Sequence, residues 1–145
     1  MTVLDAKKYG FDYQTLNRDI AAGGRTVTVN NCLGQRFIGS GQSGKTITLN
    51  GVPGNALGAY LDGADIIVNG NEQDATGDTM NAGTIVVHGS TGDAAGYAMR
   101  GGAIYVRDDA GYRAGIHMKA YADKLPVLVI GGRCGSILGE YPAGG

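Results

Sequence analysis

The segment Gly39 to Thr46, GSGQSGKT, has the G-x-x-x-x-G-K-T spacing of a phosphate-cradling loop. That chemistry needs a strand before the loop and a helix after it, so that backbone N–H groups and the helix N-terminus converge on the anion. Here Ile47-Thr48-Leu49-Asn50-Gly51 follows, then Pro53 and Gly54, which reads as a strand and a turn. A corner of glycines, serine and lysine is the expected structure. A nucleotide-binding chain is the competing reading, and ATP protection against unfolding would separate the two. Asp74 and Asp93 occupy equivalent places nineteen residues apart. Paired carboxylates can serve acid–base catalysis or hold calcium. Asn55, Tyr112 and Ser136 fill the same place elsewhere, so turn chemistry is the expectation. His88 and His117 have no second ligand at metal spacing. Cys32 and Cys134 lie far apart with no C-x-x-C, which reads as two reduced thiols of a cytoplasmic protein. No catalytic, cofactor-binding or metal-ligating residue is expected in this chain.

The elements that would position these groups follow from one abnormal number. Glycine occurs 27 times in 145 residues, nearly three times the usual share of about 7%. Three prolines and no three-residue period exclude collagen, and 43% apolar residues exclude a disordered linker. The net charge is −1, from 12 basic and 13 acidic residues without runs, so neither nucleic acid nor an anionic membrane is an expected partner. No apolar stretch approaches twenty residues, and Met1 to Gly10 lacks the apolar core of a signal peptide.

The glycines recur at a fixed interval. Units begin at Ile47, Ile66, Ile85 and Ile104, each nineteen residues after the last, with a degenerate unit from Val27 and a further one from Leu128. Each unit opens with apolar-x-apolar, as in Ile66/Val68 and Ile85/Val87, the pattern of a short strand. The tenth position is small in Ala56, Ala75 and Ala94, and the fifteenth is long and apolar in Leu61, Met80, Met99 and Met118. The twelfth is glycine throughout: Gly58, Gly77, Gly96, Gly115 and Gly139. One such unit cannot bury its own apolar face, whereas stacked units pair equivalent strands about 4.8 Å apart and pile equivalent side chains into ladders. The expected fold is all-β, a single-stranded right-handed β-helix of about six coils, with isoleucine, alanine and methionine ladders inside and glycines turning the corners.

A short helix should precede the coils. Asp12 reads as its N-cap, Tyr13, Leu16 and Ile20 share one face, and Gly23-Gly24 end it. This gives an N-terminal cap over residues 1–26 and a β-helix over 27–145. The last unit closes at Gly145 without a comparable cap, so a partner or further chain is expected to cover it.

Units of the form G-x-x-G…G-x-x-M-x-G-G-x-I-x-V, carried best from Gly51 to Gly102, resemble the GXGXG domain of glutamate synthase large subunits. The segments GYRAGIHMKAY (Gly111 to Tyr121) and GEYPAGG (Gly139 to Gly145) are similar to the stand-alone archaeal-type form. The same motif occurs in one of the subunits of formylmethanofuran dehydrogenase. The resemblance implies a non-catalytic β-helix that holds a glutaminase-like component against an FMN-binding synthase. FMN and iron–sulfur centres would then belong to those partners, with no cofactor in this chain. A formylmethanofuran dehydrogenase scaffold stays open beside it. So does a β-helix enzyme acting on polysaccharide, although short turns and the lack of an acid–base cluster speak against the latter. Tyr60, Tyr97, Arg100, Arg113 and Tyr121, with Arg107, put interface-type residues outside a glycine-rich wall, and the AYADKLP insertion (Ala120 to Pro126) breaks coil regularity. A homo-oligomer is a further option.

Overall fold

Each apolar-x-apolar triplet is a strand, and each strand lies in register on the next. The computed structural model describes residues 1–120 and 124–135. Strands β1 (Thr2–Asp5), β2 (Thr26–Leu33), β3 (Thr46–Val52), β4 (Asp62–Asn69), β5 (Ala82–Val87), β6 (Ala103–Val106) and β7 (Val127–Ile130) form one parallel seven-stranded sheet in sequence order. Helix α1 (Tyr13–Ala22) lies between β1 and β2. Ile47 pairs with Ile66, Ile66 with Ile85, Ile85 with Ile104 and Ile104 with Leu128. Strand order equal to chain order, with every pair parallel, makes the chain a β-solenoid.

The coil count differs from the expected six. From Val27 to Ile104 the register advances by twenty, nineteen, nineteen and nineteen residues, so about four turns are regular. The outer steps are longer, from Thr2 to Val27 and from Ile104 to Leu128. The sheet also has a strand more than the repeat announces. β1 pairs Thr2–Asp5 with Val27–Asn30, although its sequence belongs to no unit. The twenty-residue step contains a β-bulge between Val29 and Cys32, where Asn31 adopts φ 60°.

The interior is built from columns. Ile47, Ile66, Ile85 and Ile104 are fully buried, as are Leu49, Val68 and Val87 from the same strands. Leu61, Met80 and Met99 are also fully buried, and Met118 is nearly so. The expected alanine ladder is corrected: Ala75 and Ala94 are only half-buried. The neighbouring position fills the core instead, through Ile38, Leu57, Thr76, Ala95 and Ala114.

The reason lies in the backbone of the wall opposite the sheet. Wherever they are described, positions ten, twelve and fourteen of the coils have positive φ, as in Ala56 (60°), Gly58 (64°) and Tyr60 (59°), then Ala75, Gly77 and Thr79. Alternating hands flip successive peptide planes, so hydrogen bonds leave each coil in both directions. Gly58 N donates to Ile38 O of the preceding coil (2.8 Å), while Ala56 N and Tyr60 N donate to Asp74 O and Asp78 O of the following one (2.9 Å each). Glycine at the twelfth position also leaves room for the ends of the isoleucine column. A Cβ on Gly58 would sit 2.7 Å from Ile85 Cδ1, and one on Gly39 2.8 Å from Ile66 Cδ1.

The helix begins and ends where its caps place it. Asp12 Oδ1 accepts from Thr15 N (3.1 Å) and Gly23 N returns to Ile20 O (3.1 Å). Leu16 and Ile20 are fully buried, and the Tyr13 ring lies 5.1 Å from that of Phe37. The Asn17 side chain accepts from Gly39 N (2.8 Å) and donates to Phe37 O (2.9 Å). In later coils the bond equivalent to that of Gly39 N goes to a preceding coil, so one carboxamide stands in for the coil that α1 replaces.

Candidate functional site

The phosphate-loop spacing is occupied by structure. Lys45 Nζ donates to Ile20 O (2.8 Å) and Ala21 O (2.9 Å), capping the C-terminal carbonyls of α1. Along the loop, Gly39 N is held by Asn17, Ser40 N by Phe37 O, Gly41 N by Ala59 O and Gln42 N by Gly39 O. Strand β3 follows the loop where a nucleotide site would need a helix N-terminus. The lysine ammonium and the backbone donors of Gly39 to Gln42 and of Thr46 are thus spent inside the fold.

The stacked carboxylates are each engaged through one oxygen. Asn55 Oδ1 accepts from Asp74 N (2.9 Å), Asp74 Oδ1 from Asp93 N (2.7 Å) and Asp93 Oδ1 from Tyr112 N (2.8 Å). A second column runs in parallel: Asn71 Oδ1 to Ser90 N, Ser90 Oγ to Asp109 N and Asp109 Oδ1 to Arg133 N. A third joins the carboxamides of Asn30, Asn50 and Asn69. Each side chain ties one coil to the next, so the local turn bond expected of Asp74 and Asp93 is replaced by one that runs nineteen residues along the chain. Among the described residues no group of three His, Cys, Asp or Glu could hold a metal ion. His88 is exposed, and His117 packs edge-on against Tyr97 at 5.6 Å.

One polar cluster escaped the sequence reading. Glu72 is 4% exposed, with Oε2 accepting from Thr76 Oγ1 (3.0 Å) and Oε1 meeting no donor among the described residues. Burial pushes its carboxyl up to about 8, against the opposing Thr76 hydrogen bond. Cys32 is also buried, and desolvation, aided by the charge of Glu72, raises its thiol to about 12, the range of an inert cysteine. The signal in sequence was the seventh position, filled by Pro53, Glu72, Thr91 and Ala110, where the carboxylate is the odd member.

The outer surface holds the candidate interface groups. Tyr60 is 58% exposed, and Tyr97, Arg100 and Arg113 are exposed as well. Arg107 pairs with its neighbour Asp108 at 3.1 Å. Gly58, Gly77, Gly96 and Gly115 all lie at positive φ in the wall. Tyr121 and Gly139 lie outside the described residues. The outer face of the sheet adds a stripe that sequence reading passed over: Ile67 and Val86 are half-buried, while Tyr105 and Val129 are exposed. No helix among the described residues is long and apolar enough to cross a membrane.

The repeated glycine-centred wall, with its in-register parallel strands, can be set against known proteins. The family model described as the GXGXG motif matches residues 2–145. The chain belongs to the GXGXG family. The match takes in β1 and α1 together with the coils. This GXGXG protein is 52% identical over 123 residues to the uncharacterized protein MJ1350 of Methanocaldococcus jannaschii. The match covers 83% of the present chain and 47% of the relative, so the chain spans about half the relative's length. No solved structure matches. The family is associated with glutamate synthase-like proteins, in which the GXGXG domain is a module that binds no cofactor.

Proposed function

We propose that this GXGXG chain is a non-catalytic assembly module of a glutamate synthase-like complex, holding a glutaminase-like component and an FMN-binding synthase component against its outer walls. The observation that carries this reading is the fate of the polar groups. The P-loop-like lysine, the stacked aspartates and the asparagine ladder are consumed in holding coils together. What remains outside is a rigid wall bearing Tyr60, Tyr97, Arg100 and Arg113, residue types favoured at protein interfaces. Ladders along the whole stack hold that wall in one shape, which suits a scaffold better than a site that must move during catalysis. Flavin and iron–sulfur chemistry would reside in the partners.

The test is native mass spectrometry of the chain purified gently from its source. A stoichiometric complex with a glutaminase-like protein and a flavoprotein is the expected result. A molybdenum or tungsten pterin partner would transfer the chain to a formylmethanofuran dehydrogenase-type assembly. A lone chain, or one that turns over polysaccharide, would overturn the scaffold reading.

A further inference from the structure

Among the described residues, the solenoid interior contains two polar side-chain atoms without a protein partner, and they come from the same place in adjacent coils. Glu72 Oε1 and Thr91 Oγ1 are both buried and meet no hydrogen-bonding group there. Their residues are 4% and 7% exposed. Their backbones are in matching register, since Glu72 N donates to Ser90 O (2.8 Å) and Thr91 N to Asp109 O (2.9 Å). Below and above them in the same column stand Pro53 and Ala110, both buried and neither offering a side-chain donor. The two orphan oxygens thus belong to consecutive members of one column.

We propose that the interior of the solenoid holds one water molecule bound between Glu72 Oε1 and Thr91 Oγ1. Equivalent positions of adjacent coils stack one above the other, and a buried water makes two to four hydrogen bonds to polar groups of this kind. Leaving both oxygens unsatisfied would carry the full desolvation penalty of two buried polar groups. The charge state fits as well. Burial keeps the Glu72 carboxyl neutral at pH 7, so it can donate through its own proton. A neutral acid and a hydroxyl suit water, whereas a hard cation takes six or more oxygens and favours charged ones.

A crystal structure of the wild-type chain, at a resolution that shows ordered water, is the direct test. Oxygen-17 relaxation dispersion in solution accompanies it and counts waters held inside for longer than microseconds. The expected result is a density peak within about 3 Å of both oxygens. Thr91→Val, which removes the hydroxyl at nearly constant shape, should lose one long-lived water, while Glu72→Gln should keep it. Empty density between the two oxygens in the wild-type crystal would overturn the proposal, whether or not the Thr91→Val chain folds. So would an unchanged water count in that variant. Saturable stabilisation by sodium or potassium, absent with choline, would assign the site to a cation and overturn it equally.

Discussion

Replacing Glu72 by glutamine should change how stability depends on pH more than any other single substitution in the core. The folded carboxyl titrates near 8, from an ordinary value of 4.5, because burial disfavours its charged form. The folded state thus binds this proton more tightly than the unfolded chain does. The stability it contributes is fully present below pH 4.5 and is lost as pH rises toward 8, with no further change above. At about 1.4 kcal/mol per pH unit over that window, the loss amounts to roughly 3–5 kcal/mol. Of the groups coupled to it, Cys32 titrates near 12 when folded, and Asp74 opposes ionisation of Glu72 by like charge. Neither flattens the slope between pH 5 and 8. Glutamine keeps the size and the hydrogen-bonding groups and cannot ionise. Urea unfolding at pH 5, 7 and 9 should therefore show the variant within about 1 kcal/mol of wild type at pH 5 and more stable by several kcal/mol at pH 9. The melting temperatures at pH 9 should differ by on the order of 10 °C. Parallel stability profiles for the two proteins would refute the reasoning, because they would mean that Glu72 ionises in the folded chain as easily as in water.

Other substitutions test the wall and the caps. Gly58→Ala should cost about 2–4 kcal/mol in urea unfolding, since it combines φ 64° with a Cβ 2.7 Å from Ile85 Cδ1. Ala94→Gly, at φ 57°, should instead be neutral or stabilise by up to about 1 kcal/mol, and a large loss would mean that left-handed backbone is not what position ten requires. Asn17→Ala should cost about 1–2 kcal/mol and speed amide exchange at Gly39, because the carboxamide satisfies both Gly39 N and Phe37 O. Asp93→Ala should cost about 1 kcal/mol by chemical denaturation while Asp93→Asn costs little, as an amide oxygen can accept from Tyr112 N equally well.

Much of the architecture was written in the spacing. Apolar triplets at nineteen-residue steps located β3 to β6, and Asp12 and Gly23 marked the limits of α1 within a residue. The methionine column was legible because its members recur at one position. Other features come from tertiary contacts that no local pattern carries. β1 is four residues, Thr-Val-Leu-Asp, and gains its place only by pairing with β2 across the helix. The positive φ of Ala56, Tyr60 and Thr79 contradicts their local preference and is imposed by hydrogen bonds to neighbouring coils. Glu72 sits in the segment NGNEQD, which reads as an exposed turn. Only its column, with Pro53, Thr91 and Ala110, turns it inward. Lys45 has the place of an anion ligand in the G-x-x-x-x-G-K-T spacing, whereas its neighbours in space are the carbonyls of α1.

The two-way hydrogen bonding of the wall has a consequence for how such a chain can change in length. Every regular coil repeats its neighbours' pattern of donors and acceptors on both its upper and its lower face, so one such coil can stand in for the next. Excising residues 66–84, one nineteen-residue period, would set Ile85 directly on Ile47 and let Asn55 Oδ1 meet Asp93 N where it now meets Asp74 N. Excising a number that is not a multiple of nineteen would misalign every column at once. Length in this architecture is quantised: the molecule tolerates loss or duplication of a whole turn, and a ruler of fixed cross-section can be lengthened without redesigning its ends.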